Sequence, residues 1–157
     1  MPGVIQRIPV EINELTEVIW IINDGSQDNT EQVIKELAKQ NRKIKYETFS
    51  TNKGYGQAVK RALNLVKQLE PDYAICLHAD GQYPPEYIPA FLNKAEVDRV
   101  DILQGSRIAS GTALQGGMPL YKFIAGKFLT WWERKIFGLN LTDFHSGYLC
   151  YSRRALK

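Results

Sequence analysis

The sequence predicts an α/β domain built on a mostly parallel sheet. Apolar segments rich in β-branched residues alternate along the chain with amphipathic segments, which is the pattern of strands joined by crossover helices. The length of 157 residues suits a single domain spanning 1–157. Hydrophobic residues make up 44% of the chain and charged residues 24%, a composition that excludes a disordered tail and a fibrous repeat.

The first elements follow in order from these patterns. Glu17–Asn23 is a nearly continuous apolar run, as in a strand buried on both faces. Asp28 suits the N-cap of the amphipathic helix that comes next. Lys43–Phe49 alternates between apolar and polar residues, which predicts a second strand. The glycine loop Asn52–Gly56 then leads into a helix whose apolar residues recur at helical spacing as far as Leu69.

The same alternation continues in the second half. Asp72–His78 is a third buried strand, and the paired prolines after it suit the first turn of a helix. Val100–Gly105 is a fourth strand. Met118–Gly138 predicts a helix that is apolar on much of its circumference, which fits either core packing or partial immersion at a lipid interface. A short apolar strand follows at 148–151.

Charge is distributed unevenly along the chain. Residues 118–157 hold seven Lys and Arg against two Asp and Glu, which indicates either a solvated basic face or an anionic partner such as phosphate or a membrane surface. The two cysteines, Cys76 and Cys150, lie in apolar runs and are expected to be buried thiols in a reducing compartment. We expect no membrane-spanning segment and no secretion signal.

Polar clusters follow the ends of the predicted strands. Ligands of parallel sheets bind beyond the carboxyl ends of the strands, so these clusters predict one site. Its candidate residues are Asp24, Gly25 and Ser26, then Asn52, Gly54 and Gly56, then His78, Asp80 and Gln82, and finally Arg107 after the fourth strand.

Each cluster admits a functional and a structural interpretation. Asp24 can accept hydrogen bonds from a base or ribose, or it can cap a helix. The glycine loop lacks the third glycine of a dinucleotide fingerprint and the Gly-Lys-Ser/Thr of a P-loop, yet it can hold a pyrophosphate through backbone N–H groups. His78 and Asp80 leave a strand end on the same side, where they can bind a hard divalent cation; alternatively, Asp80 caps the next helix.

Two further groups suit the handling of a phosphate or an acceptor. Arg107 carries a fork-shaped guanidinium that matches phosphate. Thr142–Gly147 combines a carboxylate, an imidazole and a hydroxyl ahead of the last strand, and it is read either as acceptor-site chemistry or as a capped polar turn.

The ordered motifs NDGSQDNT, NKGYGQA, HADGQYPPE, GSR and TDFHSGY resemble those of the inverting family-2 glycosyltransferases with the GT-A fold. The likeness extends from about Val4 to Ala155 and is greatest to the branch that acts on polyprenyl or dolichyl phosphate. It implies a three-layer α/β/α domain that transfers a sugar, with inversion, from a nucleotide-diphosphate sugar to a lipid-phosphate or glycan acceptor.

Site roles follow from this resemblance position by position. It implies catalytic roles for Asp80, Arg107 and Asp143, with Mg²⁺ or Mn²⁺ held by Asp80 and His78. It implies substrate-binding roles for Asp24, Gly25, Ser26, Asn52, Gly54, Gly56, Gln82, Ser146 and Gly147. It also implies cytoplasmic placement with peripheral contact at the cytoplasmic face of the membrane, and no nucleic-acid partner.

The sequence departs from the family pattern at three places. His78 stands where the family usually has the first metal-motif aspartate, and Leu149 stands where it often has arginine. The family's opening strand, which supplies the centre of the sheet, has no counterpart in the sequence, so we expect a partial domain that lacks this strand. A truncated, non-catalytic remnant or a nucleotide-binding module of the same fold is therefore the alternative function. A nucleotidyltransferase fits less well, because the sequence has no basic glycine-rich loop at its start.

Overall fold

The computed structural model of the chain describes residues 1–106, 108–109, 111 and 119–157. The helices are α1 (Pro2–Gln6), α2 (Val10–Leu15), α3 (Thr30–Gln40), α4 (Tyr55–Lys67), α5 (Ile88–Val97), α6 (Leu120–Phe137) and α7 (Arg153–Leu156). The strands are β1 (Ile19–Asn23), β2 (Ile44–Thr48), β3 (Tyr73–Cys76), β4 (Ile102–Gln104) and β5 (Leu149–Ser152). A 3₁₀ turn, Pro85–Tyr87, leads into α5.

The strands form two sheets. In the first sheet β1 pairs with β2 in parallel, as the crossover through α3 requires. In the second sheet β5 lies between β3 and β4 and is antiparallel to both. The α/β class is therefore confirmed. The antiparallel direction of β5 differs from the parallel direction that the sequence pattern predicts for most strands.

Within the described residues, β1 pairs only with β2, and β3 pairs only with β5. Helix α4 contacts both β1 and β3 and so bridges the two sheets. The expectation that a family strand is missing from the domain stays a prediction.

Two groups of buried side chains stabilise the fold. Ile34 of α3 is completely buried, and Ile44 of β2 is 3% exposed, on the side where α3 packs against the first sheet. The second group consists of Ile12 in α2, Tyr83 ahead of the 3₁₀ turn, Ile88 at the start of α5 and Tyr148 just before β5. Cys76 and Cys150 are both free thiols. Among the helices that the structure describes, none has the length and apolarity needed to cross a bilayer.

Ile34→Ala should lower the free energy of unfolding by about 2–5 kcal/mol, because it leaves a cavity at a completely buried position. Leu15→Ala, at a position that is 80% exposed, is the matched control and should change stability by less than about 0.5 kcal/mol. Urea denaturation of the two variants measures this difference. Equal losses would show that α3 does not form the core of the first sheet.

Candidate functional site

The loops at one edge of the sheets meet in a single region. In the first sheet Asn23 and Thr48, the last residues of β1 and β2, are register partners. In the second sheet Leu149, the first residue of β5, pairs with Cys76 and with Gln104, which end β3 and β4. The antiparallel direction of β5 thus brings the segment before it, Ser146–Tyr148, to the edge where β3 and β4 end.

Asp24 joins the loop after β1 to the loop after β2. Its Oδ1 accepts a hydrogen bond from the Lys53 amide at 2.7 Å, and its Oδ2 accepts one from the Gly54 amide at 2.9 Å. Asp24 does not cap α3, whose N-cap residue is Asn29 and not the predicted Asp28. Asp28 Oδ1 accepts a hydrogen bond from the Thr30 amide at 3.0 Å, one residue ahead of the N-cap. Hydrogen bonding to Thr30, first with its side chain and then with its backbone amide, lowers the pKa of Asp28.

Gly25 allows these two loops to approach each other. A Cβ at this position would lie 2.6 Å from the carbonyl carbon of Thr51, and the backbone φ of +69° is one that other residues rarely adopt. Ser26 follows with its side chain exposed, while its amide donates to Asn23 Oδ1 at 3.1 Å. The sequence motif therefore has a structural requirement at Gly25 that is independent of any ligand.

The glycine loop ends at the start of α4. The Gly54 amide also lies 3.0 Å from Asn52 Oδ1, and Gly54, with a φ of +87°, is the N-cap residue. Gly56 is exposed in the first turn of α4. The first amides of a helix have no intrahelical acceptor, so this turn presents backbone N–H groups that can bind an anion.

His78 is engaged inside the protein. Its Nε2 shares a 3.1 Å hydrogen bond with the Tyr55 hydroxyl, and its ring packs edge-on against Tyr55 and Tyr83, with centroid distances of 5.1 and 5.0 Å. Gly147 packs directly against this cluster. A Cβ at this position would overlap the imidazole and lie 2.8 Å from the Tyr55 hydroxyl, so only glycine fits. The role of His78 as a metal ligand stays a prediction, and Nε2 would have to leave Tyr55 to fulfil it.

Asp80 is exposed beyond β3. Its Oδ1 accepts a hydrogen bond from the Gln82 amide at 2.9 Å, which forms a local turn and does not cap α5. No group of three His, Cys, Asp or Glu side chains within the described ranges is arranged to hold a metal ion. The chemistry at Asp80 nevertheless fits a hard cation, because Mg²⁺ is usually bound by one or two carboxylates together with water and substrate phosphates.

The segment before β5 is held from several sides. Ser146 is 5% exposed, and its carbonyl accepts a 2.8 Å hydrogen bond from Gln104 Nε2. The Gly147 amide donates to the Tyr83 hydroxyl at 3.0 Å. Asp143 lies earlier in the loop, where its Oδ1 accepts from the His145 amide at 2.9 Å. Arg107, the remaining candidate, lies outside the described residues.

Three tyrosines hold the site together, and sequence reasoning did not single them out. Tyr83 stacks on Tyr148 at 5.4 Å, and the Tyr148 hydroxyl donates to the Pro84 carbonyl at 3.3 Å. Burial raises the pKa of Tyr148 to about 12, and burial followed by the neighbouring Cys76 raises the pKa of Tyr55. Each of the three lies within two residues of a motif glycine, a signal that was available in the sequence.

Comparisons with known proteins point to one family. Residues 10–157 match the Glycosyl transferase family 2 model. A UDP-N-acetylglucosamine–dolichyl-phosphate N-acetylglucosaminyltransferase of Methanococcus voltae is 31% identical over 151 residues, which cover 88% of this chain and 60% of that protein. The low-salt glycan biosynthesis hexosyltransferase Agl6 of Haloferax volcanii is 33% identical over 136 residues, with coverages of 86% and 30%.

A eukaryotic protein shows a similar likeness. A dolichol-phosphate mannosyltransferase of Saccharomyces cerevisiae is 29% identical over 112 residues, which cover 71% of this chain and 40% of that protein. The chain therefore spans 60% or less of the length of each of these three relatives.

Gly147→Ala should lower the free energy of unfolding by about 1–3 kcal/mol, because the added methyl group overlaps His78 and the Tyr55 hydroxyl. Gly3→Ala is the matched control, since its Cβ would meet no atom within 4 Å. Urea denaturation compares the two variants. A Gly147→Ala variant as stable as the control would contradict the packing of the segment before β5 on His78.

Stability should fall as the pH rises above the ordinary tyrosine pKa of 10.0, because unfolded Tyr148 then loses its proton while folded Tyr148 keeps it until about pH 12. The contribution of Tyr148 is at most about 1.4 kcal/mol per pH unit. Tyr148→Phe should reduce this slope, and Tyr55 and Tyr151, whose pKa values are also raised, should retain part of it. Urea denaturation of the parent chain and of Tyr148→Phe at pH 8, 10 and 11 tests this prediction. It would be refuted if the free energy of unfolding fell equally steeply with pH in both proteins.

Proposed function

The chain belongs to glycosyl transferase family 2, and we propose that it forms the catalytic domain of an enzyme that transfers a hexose, with inversion, from a nucleotide-diphosphate sugar to a polyprenyl or dolichyl phosphate. The observation that carries the proposal is the meeting of the loops after β1, β2 and β3 with the segment before β5 at one sheet edge. The printed names of the relatives from Methanococcus voltae and Saccharomyces cerevisiae support a lipid-phosphate acceptor.

The donor binds at the first sheet in this proposal. The amide groups in the first turn of α4 provide an anion site for the diphosphate. Asn52, Gly54 and Gly56 form this site, and Asp24 fixes its position through the Lys53 and Gly54 amides. Asp24, Gly25 and Ser26 lie beside it, where a carboxylate and a hydroxyl can bind the base or ribose. Ser26 is exposed and therefore accessible to a ligand.

A divalent cation, Mg²⁺ or Mn²⁺, belongs beside Asp80 in this proposal. Asp80 is exposed and carries the carboxylate, and Gln82 holds it through the turn that they share. When bound, the cation neutralises charge on the leaving diphosphate. His78 is a second candidate ligand, and Arg107 supplies a guanidinium for the same phosphates.

The acceptor approaches from the segment before β5. An oxygen of the acceptor phosphate forms the new bond to the anomeric carbon from the face opposite the diphosphate, and the bond to the diphosphate breaks. An acceptor phosphate is already an anion, so this step needs no strong general base. The residues that border the acceptor in this proposal are Asp143, Ser146 and Gly147. The Ser146–Gly147 backbone is buried and hydrogen-bonded to Gln104, so it forms a fixed side of the acceptor site.

We place the reaction at the cytoplasmic face of a membrane. A polyprenyl acceptor is confined to a bilayer, whereas a nucleotide sugar is water-soluble, so the two can meet only at a membrane surface. The free thiols of Cys76 and Cys150 fit a reducing compartment. The proposal involves no nucleic acid.

Titration calorimetry with GDP and with UDP, each with and without Mn²⁺, tests the donor site. We expect one nucleotide to bind in the micromolar range in the presence of Mn²⁺. Asp80→Asn should weaken this binding at least about tenfold, which corresponds to about 1.4 kcal/mol. Asp98→Asn is the matched control and should bind the nucleotide as tightly as the parent chain. Asp98 follows α5, and its carboxylate pairs with Lys94 of that helix.

Two outcomes would count against the proposal. If the folded chain bound neither nucleotide, the non-catalytic alternative would be favoured. If Asp80→Asn and Asp98→Asn bound Mn²⁺ and nucleotide equally well, Asp80 would not be the metal ligand.

A further inference from the structure

Helix α6 exposes an unusual amount of apolar surface. Nine of its large apolar side chains are at least 47% exposed, among them Tyr121, Phe128 and Trp132. These three recur at i, i+7 and i+11, so they lie on one face of the helix, and Ile124 and Ile136 extend that face on either side. The core-packing interpretation of this segment is therefore wrong, because its largest side chains point away from the protein.

Apart from Phe123, the opposite side of α6 is polar or small. The less exposed positions are Phe123, Gly126, Thr130, Glu133 and Arg134, which recur at helical spacing as one stripe. Thr130 Oγ1 and Glu133 Oε2 are buried without a hydrogen-bond partner in the part of the chain that the structure describes. A helix in water normally buries its apolar face, so this inverted arrangement indicates that the outer face of α6 meets an apolar medium.

The charges on α6 suit an anionic surface. Lys122 and Lys127 are exposed and lie roughly 110° to either side of the Tyr121–Phe128–Trp132 face at 100° per residue. Lys135 Nζ lies 4.5 Å above the Trp131 ring, so its charge stays beside an interfacial aromatic residue. Glu133, the only acid in α6, faces His145, with 3.4 Å between Oε1 and Nε2.

Helix α6 is also coupled to the candidate site. Arg134 Nε donates to the Leu141 carbonyl at 2.5 Å, and the Phe137 and Phe144 rings lie 6.0 Å apart. With the Glu133–His145 contact, these interactions fix the loop that leads into Ser146 and Gly147. Helix α6 therefore contributes, with Gln104 and Tyr83, to the position of the segment before β5.

We propose that α6 is a membrane-binding helix that lies in the headgroup region of a bilayer containing anionic lipids. Tyr121, Phe128 and Trp132 insert below the headgroups, and Lys122 and Lys127 remain at their level on the two sides of the helix. This arrangement orients the site, because α6 holds the loop before Ser146 against the bilayer surface. The inference deepens the proposed function and rests on it only for the presence of a lipid acceptor.

A lipid surface fits this face better than a second copy of the chain does. The exposed apolar residues occupy most of the circumference of α6. A helix immersed in a membrane interface can bury all of them, whereas a single protein groove would cover only part of them. The three exposed lysines would repel those of an identical α6, whereas they attract anionic headgroups.

Vesicle co-sedimentation tests the inference directly. The chain should bind vesicles of phosphatidylcholine with phosphatidylglycerol more tightly than vesicles of phosphatidylcholine alone, and less tightly in high salt. Phe128→Ser/Trp132→Ser should weaken binding at least about tenfold. Lys122→Gln and Lys127→Gln should each weaken it about fivefold, and only on the anionic vesicles.

Matched controls remove similar groups elsewhere. Leu15→Ser/Val97→Ser changes two apolar residues that are 80% and 70% exposed outside α6, and Lys60→Gln removes an exposed lysine of α4. Both controls should bind vesicles like the parent chain. Circular dichroism establishes that every variant is folded.

Fluorescence quenching tests the depth of insertion. In a Trp20→Phe background, the fluorescence of Trp131 and Trp132 should be quenched by lipids brominated in the acyl chain.

Three results would overturn the inference: no binding to anionic vesicles, equal binding by the α6 and control variants, or a dimer in solution that Phe128→Ser/Trp132→Ser dissociates. The last result would identify a second copy as the occupant of this face. Nucleotide titration of the α6 variants separates this inference from the donor site. Vesicle binding without nucleotide binding would refute the donor proposal alone, and the reverse would refute the role of α6 alone.

Discussion

The close approach of the loops at one sheet edge is the constraint on which the site depends. Asp24 joins the loops after β1 and β2 by accepting hydrogen bonds from the Lys53 and Gly54 amides with its two carboxylate oxygens. That contact is possible only because Gly25 has no side chain to collide with Thr51. Gly147 meets the same requirement against His78 on the second sheet. Gly25 and Gly147 are thus needed to assemble the site before any ligand binds.

The aromatic cluster extends this constraint across the molecule. His78 links Tyr55, at the start of α4, to Tyr83 and Gly147, and Tyr148 continues the stack to Phe91 of α5. The proposed donor and acceptor sides are therefore parts of one packed unit. The loop between α6 and Ser146 connects this packed unit to α6, whose apolar side chains face outward at the surface. Binding of the donor, approach of the acceptor and contact with a membrane would all act on the same segment before β5.

Much of this was predictable from the sequence, and the rest depended on contacts between distant residues. The strand and helix patterns predicted β1 to β4 and α3 to α6, because apolar periodicity is a local property. The motifs correctly placed the polar clusters at the strand ends. The direction of β5 and the bond between His78 and Tyr55 were not predictable, since each is set by packing between segments far apart in sequence. The outward orientation of α6 was left open because a helix that is apolar almost all round gives no directional signal.

An NMR titration of backbone amides with a nucleoside diphosphate and Mg²⁺, which is diamagnetic, tests the central claim most directly. The account predicts that the amides of Gly25, Gly54, Gly81 and Gly147 shift together at the same ligand concentration, because they belong to loops that form one site. Gly3 in α1 and Gly138 after α6 should not move. Shifts confined to one loop, or shared equally with Gly3 and Gly138, would contradict a single site at this edge of the sheets.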